Sequence, residues 1–336
     1  MNAPAPWLGR CASAACALAD RVATPRLSIL IFHRVLPAPD PIFPDEIDVA
    51  RFDALVGLLA RSFRVLPLGA ALRLREDGRL PPRALAITFD DGYADNATLA
   101  LPVLQRHGVP ATVFVATGFL DGGRMFNDSV IECIRRTSVA AIDLGAFGLG
   151  VRALASPAER RQAIEALLPK AKYLGLAERE QFVDRLLHLA GRPALPDDLM
   201  MRSAQVAALH RAGIEIGAHT VRHPILRLVA DAEAEREIAE GAERLRGITG
   251  APVELFAYPN GKPMQDYDAR HVAMVRRLGF RAAVSTAPGV VNAQADLHQL
   301  PRFTPWDRAP LPWLARLMRE RLRSGAAATA TAAQPA

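Results

Sequence analysis

The stretch ALAITFDDG, residues 84–92, decides the fold class. Ala84–Phe89 is a short apolar run typical of a buried strand, and two aspartates and a glycine follow where that strand ends. Similar runs recur along the chain with helical patterns between them, as in the βα units of a parallel sheet. Six or seven such units predict an α/β fold with a barrel or barrel-like sheet. The predicted strands are Leu27–Phe32, Ala84–Phe89, Thr112–Ala116, Ile214–Ala218, Val253–Tyr258, Arg281–Ser285 and Gln299–Phe303.

One long stretch, residues 123–201, breaks this alternation with a pattern that is helical throughout. We interpret it as a helical insertion in a single domain of residues 26–323. The insertion is either a cap that shields apolar surface or a lid that shapes a cleft. An N-terminal segment, residues 1–25, precedes this domain. The Ala/Thr-rich tail, residues 324–336, has no periodicity, and we expect it to be disordered.

The composition excludes several classes of protein. The formal charge of +6 comes almost entirely from arginines scattered among acids, with no basic stripe, so nucleic-acid binding is not expected. Three cysteines without a C-x-x-C spacing argue against a disulfide framework or a thiolate zinc site. No run approaches the roughly 20 apolar residues of a transmembrane helix, and the start of the chain lacks a secretory pattern. We therefore expect a cytoplasmic monomer, with the periplasm or envelope as the alternative location.

Two pairs of polar residues follow predicted strands at their carboxyl ends, where parallel α/β folds place their sites. Asp90 and Asp91 are adjacent carboxylates, although Asp-Asp-Gly also forms ordinary turns. His219 and His223 follow a second apolar run, and Pro224 disfavours a helix at that point. Two imidazoles and one carboxylate are a set that binds zinc and leaves a position open for water. A single histidine would more often be structural, but a pair at this spacing indicates a metal site.

The motifs TFDDG (residues 88–92) and HTVRH (residues 219–223) together resemble the polysaccharide deacetylase family, also called the NodB homology domain or carbohydrate esterase family 4. The resemblance implies a distorted (β/α)7 barrel and hydrolysis of an N-acetyl group from an amino sugar. It also implies one divalent metal, zinc by its ligands. By the same resemblance, Asp90 is the general base, and Asp91, His219 and His223 are the metal ligands.

Two further stretches resemble motifs of the family. ILIFHRV (residues 29–35) is similar to the opening of members that act on exopolysaccharides, which places His33 either facing the site or in a structural position. FAYPNG (residues 256–261) resembles the third motif, a cleft wall. It implies that the backbone N–H of Asn260 points to the oxyanion and that Tyr258 lies at the substrate.

The sequence departs from the family pattern at two positions. Ala257 stands where the family has the arginine that orients the base, and Arg302 is our candidate substitute beside Asp90. The family's acid histidine has no clear counterpart, and His298 is the nearest match. The expected substrate is an N-acetylated amino-sugar glycan or its precursor. The alternatives are a metal-dependent amidase of a non-carbohydrate substrate and a catalytically impaired carbohydrate-binding protein.

Overall fold

The computed structural model describes residues 26–304 and 310–322, so residues 1–25, 305–309 and 323–336, with the predicted N-terminal segment and tail among them, lie outside the described chain. The strands are β1 (Ser28–Phe32), β2 (Arg64–Val65), β3 (Ala84–Phe89), β4 (Thr112–Val115), β5 (Ala141–Asp143), β6 (Val151–Ala153), β7 (Glu215–Ala218), β8 (Leu255–Ala257), β9 (Ala282–Pro288) and β10 (Leu300–Arg302). The main sheet is parallel and runs in the order β1-β3-β4-β7-β8-β9-β10, with the short strand β2 also paired to β3.

The two ends of this sheet meet. The backbone N–H of Ile31 in β1 donates to the carbonyl of Phe303 at 3.1 Å, and the N–H of Phe303 donates to the carbonyl of Ile29 at 2.7 Å. Through these bonds, β10 returns to β1 and the sheet forms a nearly closed barrel. The predicted barrel fold is therefore confirmed.

Helices surround the barrel, as the helical patterns between the predicted strands indicate. Asp48 begins the first of them as an N-cap, because its side chain accepts from the N–H of Arg51 at 2.8 Å. No helix in the described part of the chain combines the length and apolarity needed to cross a membrane. The helices are α1 (Val49–Ser62), α2 (Leu68–Glu76), α3 (Leu101–His107), α4 (Phe126–Arg136), α5 (Pro157–Lys172), α6 (Leu176–Leu189), α7 (Ser203–Arg211), α8 (Asp231–Thr249), α9 (Ala269–Arg277) and α10 (Pro310–Leu322).

Alternation along the strands divides the core into two layers. In β3, Ala84 and Ala86 belong to the cluster that fills the barrel interior. Leu85, Ile87 and Phe89 belong to the cluster that packs between the sheet and the helices. A residue's parity along its strand therefore decides whether its side chain faces the barrel interior or the surrounding helices.

The stretch 123–201 contains the helices α4, α5 and α6, in agreement with its helical pattern, and has a separate apolar core that includes Cys133, Ile134 and Leu167. It also contains an antiparallel hairpin, in which β5 pairs with β6. The expectation of a wholly helical insertion was wrong at this point. Two strands of three residues are too short to show an alternating pattern in the sequence.

Candidate active site

The carboxyl ends of the barrel strands and the insertion enclose one cavity of about 360 Å³. The side contributed by the barrel is polar, and we call it the barrel floor: His33, Asp90, Asp91, His219, His223 and Asn260. The side contributed by residues 123–201 is largely apolar, and we call it the insertion wall: Met125, Phe126, Asn127, Leu168, Lys172 and Tyr173. The structure therefore brings both sequence motifs, separated by more than a hundred residues, into the same cavity.

Asp91, His219 and His223 form a buried group with the geometry of a metal site. Their ligand atoms all lie within 4.8 Å of one another. The Oδ1 atom of Asp91 is 3.4 Å from Nε2 of His219 and 3.5 Å from Nε2 of His223. Ligands bound at about 2.0–2.1 Å to one tetrahedral ion lie about 3.4 Å apart, so these separations fit a single zinc-sized cation.

A hydrogen bond at Nδ1 fixes the tautomer and the orientation of the His219 ring. Nδ1 of His219 lies 2.8 Å from the carbonyl oxygen of Ala257, which can only accept, so Nδ1 carries the proton. In the neutral ring, the form that binds a metal, Nε2 carries the lone pair and faces Asp91. A ligating histidine that donates its other N–H to a carbonyl is the usual arrangement around a protein-bound metal.

A buried glutamate on α8 holds the loop between the two histidines. Oε2 of Glu237 accepts from the backbone N–H groups of Val221 at 2.9 Å and Arg222 at 2.7 Å. Oε1 accepts from Nε of Arg222 at 2.7 Å. Three charge-assisted hydrogen bonds to one side chain fix the loop that carries both imidazoles.

The same loop contains backbone strain. Thr220 and His223 have positive φ values of 64° and 52°, which non-glycine residues seldom adopt. The hydroxyl of Thr220 stabilises the turn by accepting from the N–H of His223 at 3.1 Å. A Cβ atom at Gly241 of α8 would lie 2.8 Å from the carbonyl oxygen of Thr220, so glycine allows the helix to support the loop.

Asp90 is held by Arg302, which reaches it from β10. The two terminal nitrogens of the guanidinium donate to the two carboxylate oxygens, each at 2.7 Å. Nε of Arg302 donates to the carbonyl of Ser285 at 2.8 Å, and the arginine is 1% exposed. Both residues have the parity that faces the barrel interior. The structure thus pairs Asp90 with the arginine proposed as the substitute for the one missing at Ala257.

The electrostatics of the floor keep its carboxylates ionised. Burial raises the pKa of Asp90, but the charge and hydrogen bonds of Arg302 lower the pKa below its ordinary value. Burial likewise raises the pKa of Asp91, and the hydrogen bond with His219 and the nearby His223 lower it below the ordinary range. Burial, followed by the charge of His219, lowers the pKa of His223 to about 3. An ionised Asp91 and a neutral His223 are the forms that bind a metal.

Comparison with known sequences places this site in a family. The sequence model of the family described as Polysaccharide deacetylase matches residues 77–150 and 179–283, which together are more than half of the chain. The chain belongs to the polysaccharide deacetylase family. The unmatched stretch between the two segments, residues 151–178, carries β6 and α5, whereas the rest of the insertion lies within the match. The first strand and β10, with Arg302, lie outside the match.

Individual relatives agree with this assignment. The chain is 45% identical over 92 residues to YxkH of Bacillus subtilis (strain 168), which is named a putative polysaccharide deacetylase. That match spans 27% of this chain and 32% of the relative. The deacetylase PplD of Streptococcus pyogenes, solved with acetate, is 17% identical with a TM-score of 0.58, covering 88% of this chain and 98% of PplD. IcaB of Ammonifex degensii is 18% identical with a TM-score of 0.58, and the match covers 90% of this chain and 99% of IcaB. The two structures share the fold of this polysaccharide deacetylase family member.

Two predicted site residues of this family member do not reach the cavity. His298 precedes β10, so it lies at the amino end of the strand, opposite the site, where Nε2 is 2.9 Å from the carbonyl of Phe280. Tyr258 has the outward parity of Phe256; its ring stacks on Tyr267 at 3.8 Å between centroids, and its hydroxyl donates to the carbonyl of His298. The assignments of His298 as the acid and Tyr258 as a substrate contact are therefore corrected.

The remaining two predicted residues do line the cavity. His33 follows β1 with its side chain exposed, and its carbonyl accepts from Nδ2 of Asn96 at 2.9 Å. Asn260 has a positive φ of 59°, and its carbonyl accepts from the hydroxyl of Thr286 at 2.8 Å. The turn is therefore anchored through its carbonyl beside the barrel floor.

Sequence reasoning missed buried neighbours of the site. The hydroxyl of Tyr93, two residues after Asp91, donates to Oδ1 of Asp128 at 3.2 Å. Burial raises the pKa of Asp128 to about 7, and the nearby charge of Asp91 contributes in the same direction. Asp128 is on the first turn of α4, inside the insertion, and the sequence contains no spacing that relates it to Asp91. Glu237 was also missed, because the sequence contains no spacing that relates this residue of α8 to the histidine loop.

Proposed function

We propose that this family member is a zinc-dependent hydrolase that removes N-acetyl groups from an amino sugar in a glycan or glycan precursor. The observation that carries the proposal is the adjacency of two units in one cavity: the triad of Asp91, His219 and His223, and Asp90 paired with Arg302. Family membership supports the reaction class. A binding protein without catalysis would not need a base carboxylate held by a buried arginine, so the structure favours an enzyme.

The residues of the floor divide the chemistry between them. A divalent metal held by Asp91, His219 and His223 would supply Lewis acidity towards water and the acetamide carbonyl. Asp90 removes a proton from the attacking water. Because Arg302 grips both carboxylate oxygens, Asp90 remains ionised and its orientation is fixed. The N–H of Asn260 stabilises the oxyanion, a contribution of about 2.7–4 kcal/mol for a single donor in other enzymes.

His33 is the residue of the floor that we propose as proton donor to the leaving amine. It lines the cavity on the side of β1, and its exposed ring can reach a bound sugar. His298 lies at the amino end of β10, opposite the site, and is therefore not proposed for this role. The resemblance of the β1 and FAYPNG stretches to exopolysaccharide-type members supports a polymeric or oligomeric substrate. Zinc is proposed over other ions because two imidazoles and one carboxylate are a common zinc ligand set.

The experiment combines metal analysis with acetate release from a panel of N-acetylated glycans, using the wild type and Asp90→Asn. We expect zinc bound by both proteins and acetate released only by the wild type, because the variant keeps the ligands and loses the base. Full activity of zinc-loaded Asp90→Asn would contradict the assigned base. Release of acid from small cyclic amides, with no release from any acetylated sugar, would instead identify a non-carbohydrate amidase.

A further inference from the structure

The insertion wall carries positive charge that its neighbours do not balance. The sequence has three lysines, Lys170, Lys172 and Lys262, and Lys172 lines the cavity in a half-buried position at the end of α5. Within the described residues, Lys172 forms no salt bridge. The contact of its ammonium is with a ring: Nζ lies 5.7 Å from the centroid of Tyr173. Burying part of an ammonium group without an acid partner is unfavourable unless something else supplies negative charge.

A second cation lies behind this lysine. Arg179 is 5% exposed, and its guanidinium stacks at 4.3 Å on Phe126, a residue of the insertion wall. It donates to the carbonyls of Lys172 at 3.0 Å and Leu174 at 3.4 Å. Its buried Nε atom has no hydrogen-bond partner, and in the described part of the chain it forms no ion pair. Lys172 is the last residue of α5, and the carbonyl end of a helix carries about half a negative charge.

The loop after Asn260 brings a third cation and one acid. Asp266 accepts from the backbone N–H of Lys262 at 3.0 Å, and its other oxygen is buried without a partner. Burial lowers the pKa of Lys172; the charge of Asp266 opposes this shift, and the charges of Lys262 and Arg179 add to it. The neighbours that act on Lys172 are thus two further cations, of which Lys262 is exposed, and one carboxylate, so positive charge is in excess around it.

We propose that the substrate carries an anionic group, a carboxylate or a phosphate, next to the sugar that bears the acetamide, and that Lys172 binds it. This inference rests on the proposed function for the placement of the acetamide at the barrel floor. An anion beside Lys172 forms a charge-assisted hydrogen bond and neutralises the excess charge shared with Arg179 and Lys262. A neutral glycan would fill the same volume and leave that charge unpaired. The insertion wall is therefore an anion subsite.

The test measures binding to the zinc-loaded Asp90→Asn protein, in which turnover is blocked, by isothermal titration calorimetry. The probes are an oligosaccharide of alternating N-acetylglucosamine and glucuronic acid, the same oligosaccharide with its carboxylates reduced to alcohols, and UDP-N-acetylglucosamine. Lys172→Met and Lys170→Met are introduced separately in this background. Lys170 lies two residues earlier on α5, is exposed, and does not line the cavity, so it is the matched control.

We expect an anionic probe to bind about tenfold more tightly than the neutral one, which corresponds to about 1.4 kcal/mol. Lys172→Met removes this preference and Lys170→Met retains it. Tighter binding of the uronate probe assigns a carboxylate, and tighter binding of the nucleotide sugar assigns a phosphate. Equal binding of anionic and neutral probes, equal effects of the two substitutions, or no binding of any probe overturns the proposal.

Acetate release by the wild type separates this proposal from the proposed function. Release from the neutral oligosaccharide at the same kcat/KM as from the uronate probe keeps the deacetylase and removes the anion subsite. An anion preference in binding that depends on Lys172, together with no acetate release from any probe, keeps the subsite and removes the deacetylase.

Discussion

The barrel floor and the insertion wall face each other across one cavity, yet they are built differently. On the floor, the candidate metal ligands and Asp90 are between 1% and 9% exposed, and partners on the neighbouring strand, loop or helix hold them. On the wall, Leu168 is partly exposed and Tyr173 is 43% exposed. Under the proposed function, this difference predicts a division of work, in which the floor fixes the geometry of the reaction and the wall determines which substrate enters. Changes on the floor should reduce metal binding or kcat, whereas changes on the wall should alter KM.

Removal of a metal ligand should have the largest effect. We expect His219→Ala to lose bound zinc and at least about a thousandfold in acetate release, because a Lewis acid contributes several kcal/mol and each 1.4 kcal/mol is tenfold in rate. The measurements are zinc content after gel filtration and kcat/KM. His188→Ala, an exposed histidine of α6 in the insertion, is the control and should keep both. Full zinc content in His219→Ala would show that the triad is not the metal site.

Arg302→Met should have the next largest effect, about a hundredfold on kcat, because a misplaced catalytic group costs about that much. Zinc content should not change. Leaving Asp90 buried without its partner should also lower the free energy of unfolding by about 3–5 kcal/mol, so denaturant unfolding must first show that the variant is folded. The exposed Arg319→Met on α10 is the control.

The pH profile distinguishes a positioning arginine from a purely structural one. In the folded wild type, burial raises the pKa of Asp90, but Arg302 outweighs burial and lowers the pKa below its ordinary value. The carboxylate is therefore ionised at neutral pH, and it becomes protonated only as the pH falls through that lowered pKa. Without Arg302, burial alone acts and raises that pKa. The acid limb of kcat/KM should therefore move to higher pH in Arg302→Met. An unchanged acid limb would contradict a role for Arg302 in holding Asp90 ionised.

A smaller effect is expected from Glu237→Gln, which weakens the three hydrogen bonds that hold the histidine loop. Zinc affinity should fall by about 10–100-fold, the usual loss when a partner behind a metal ligand is removed. Competition with a chromogenic chelator measures it. Glu240→Gln, exposed on the same helix, provides the comparison. Equal affinities for the two variants would mean that the loop holds its shape without Glu237.

The wall should give the smallest effect. Leu168→Ala removes apolar contact area at the cavity, and we expect KM to rise about threefold to tenfold while kcat and zinc content stay constant, as for loss of uniform binding. Leu187→Ala, which is partly buried against the same insertion core and does not line the cavity, controls for loosened packing. A drop in kcat in Leu168→Ala, with KM constant, would remove the division of work between floor and wall.

The sequence was sufficient for the barrel and for the floor because both depend on local patterns. Asp90, Asp91, His219 and His223 each follow an apolar run, and parallel strands bring their carboxyl ends together. The same reasoning, applied further, would have excluded two of the predicted residues. His298 stands before its strand, and Tyr258 has the parity of Phe256, which faces the helices.

The contacts that depend on distant parts of the chain could not be predicted in this way. Glu237 meets the histidine loop only because α8 packs beneath it, and Asp128 meets Tyr93 only because α4 folds back over the barrel. Arg302 was open to prediction because a missing arginine at Ala257 calls for a replacement that faces the barrel interior. Its pairing with both oxygens of Asp90 required the closed sheet.

The most direct test of the central claim is a cycle of metal removal and return on the wild type, followed by acetate release from an N-acetylated glycan. The account predicts that a chelator abolishes release, that one equivalent of zinc restores it, and that His219→Ala does not respond to zinc at the same concentration. Acetate release that continues at full rate after the metal is removed, with metal analysis showing none bound, would contradict it.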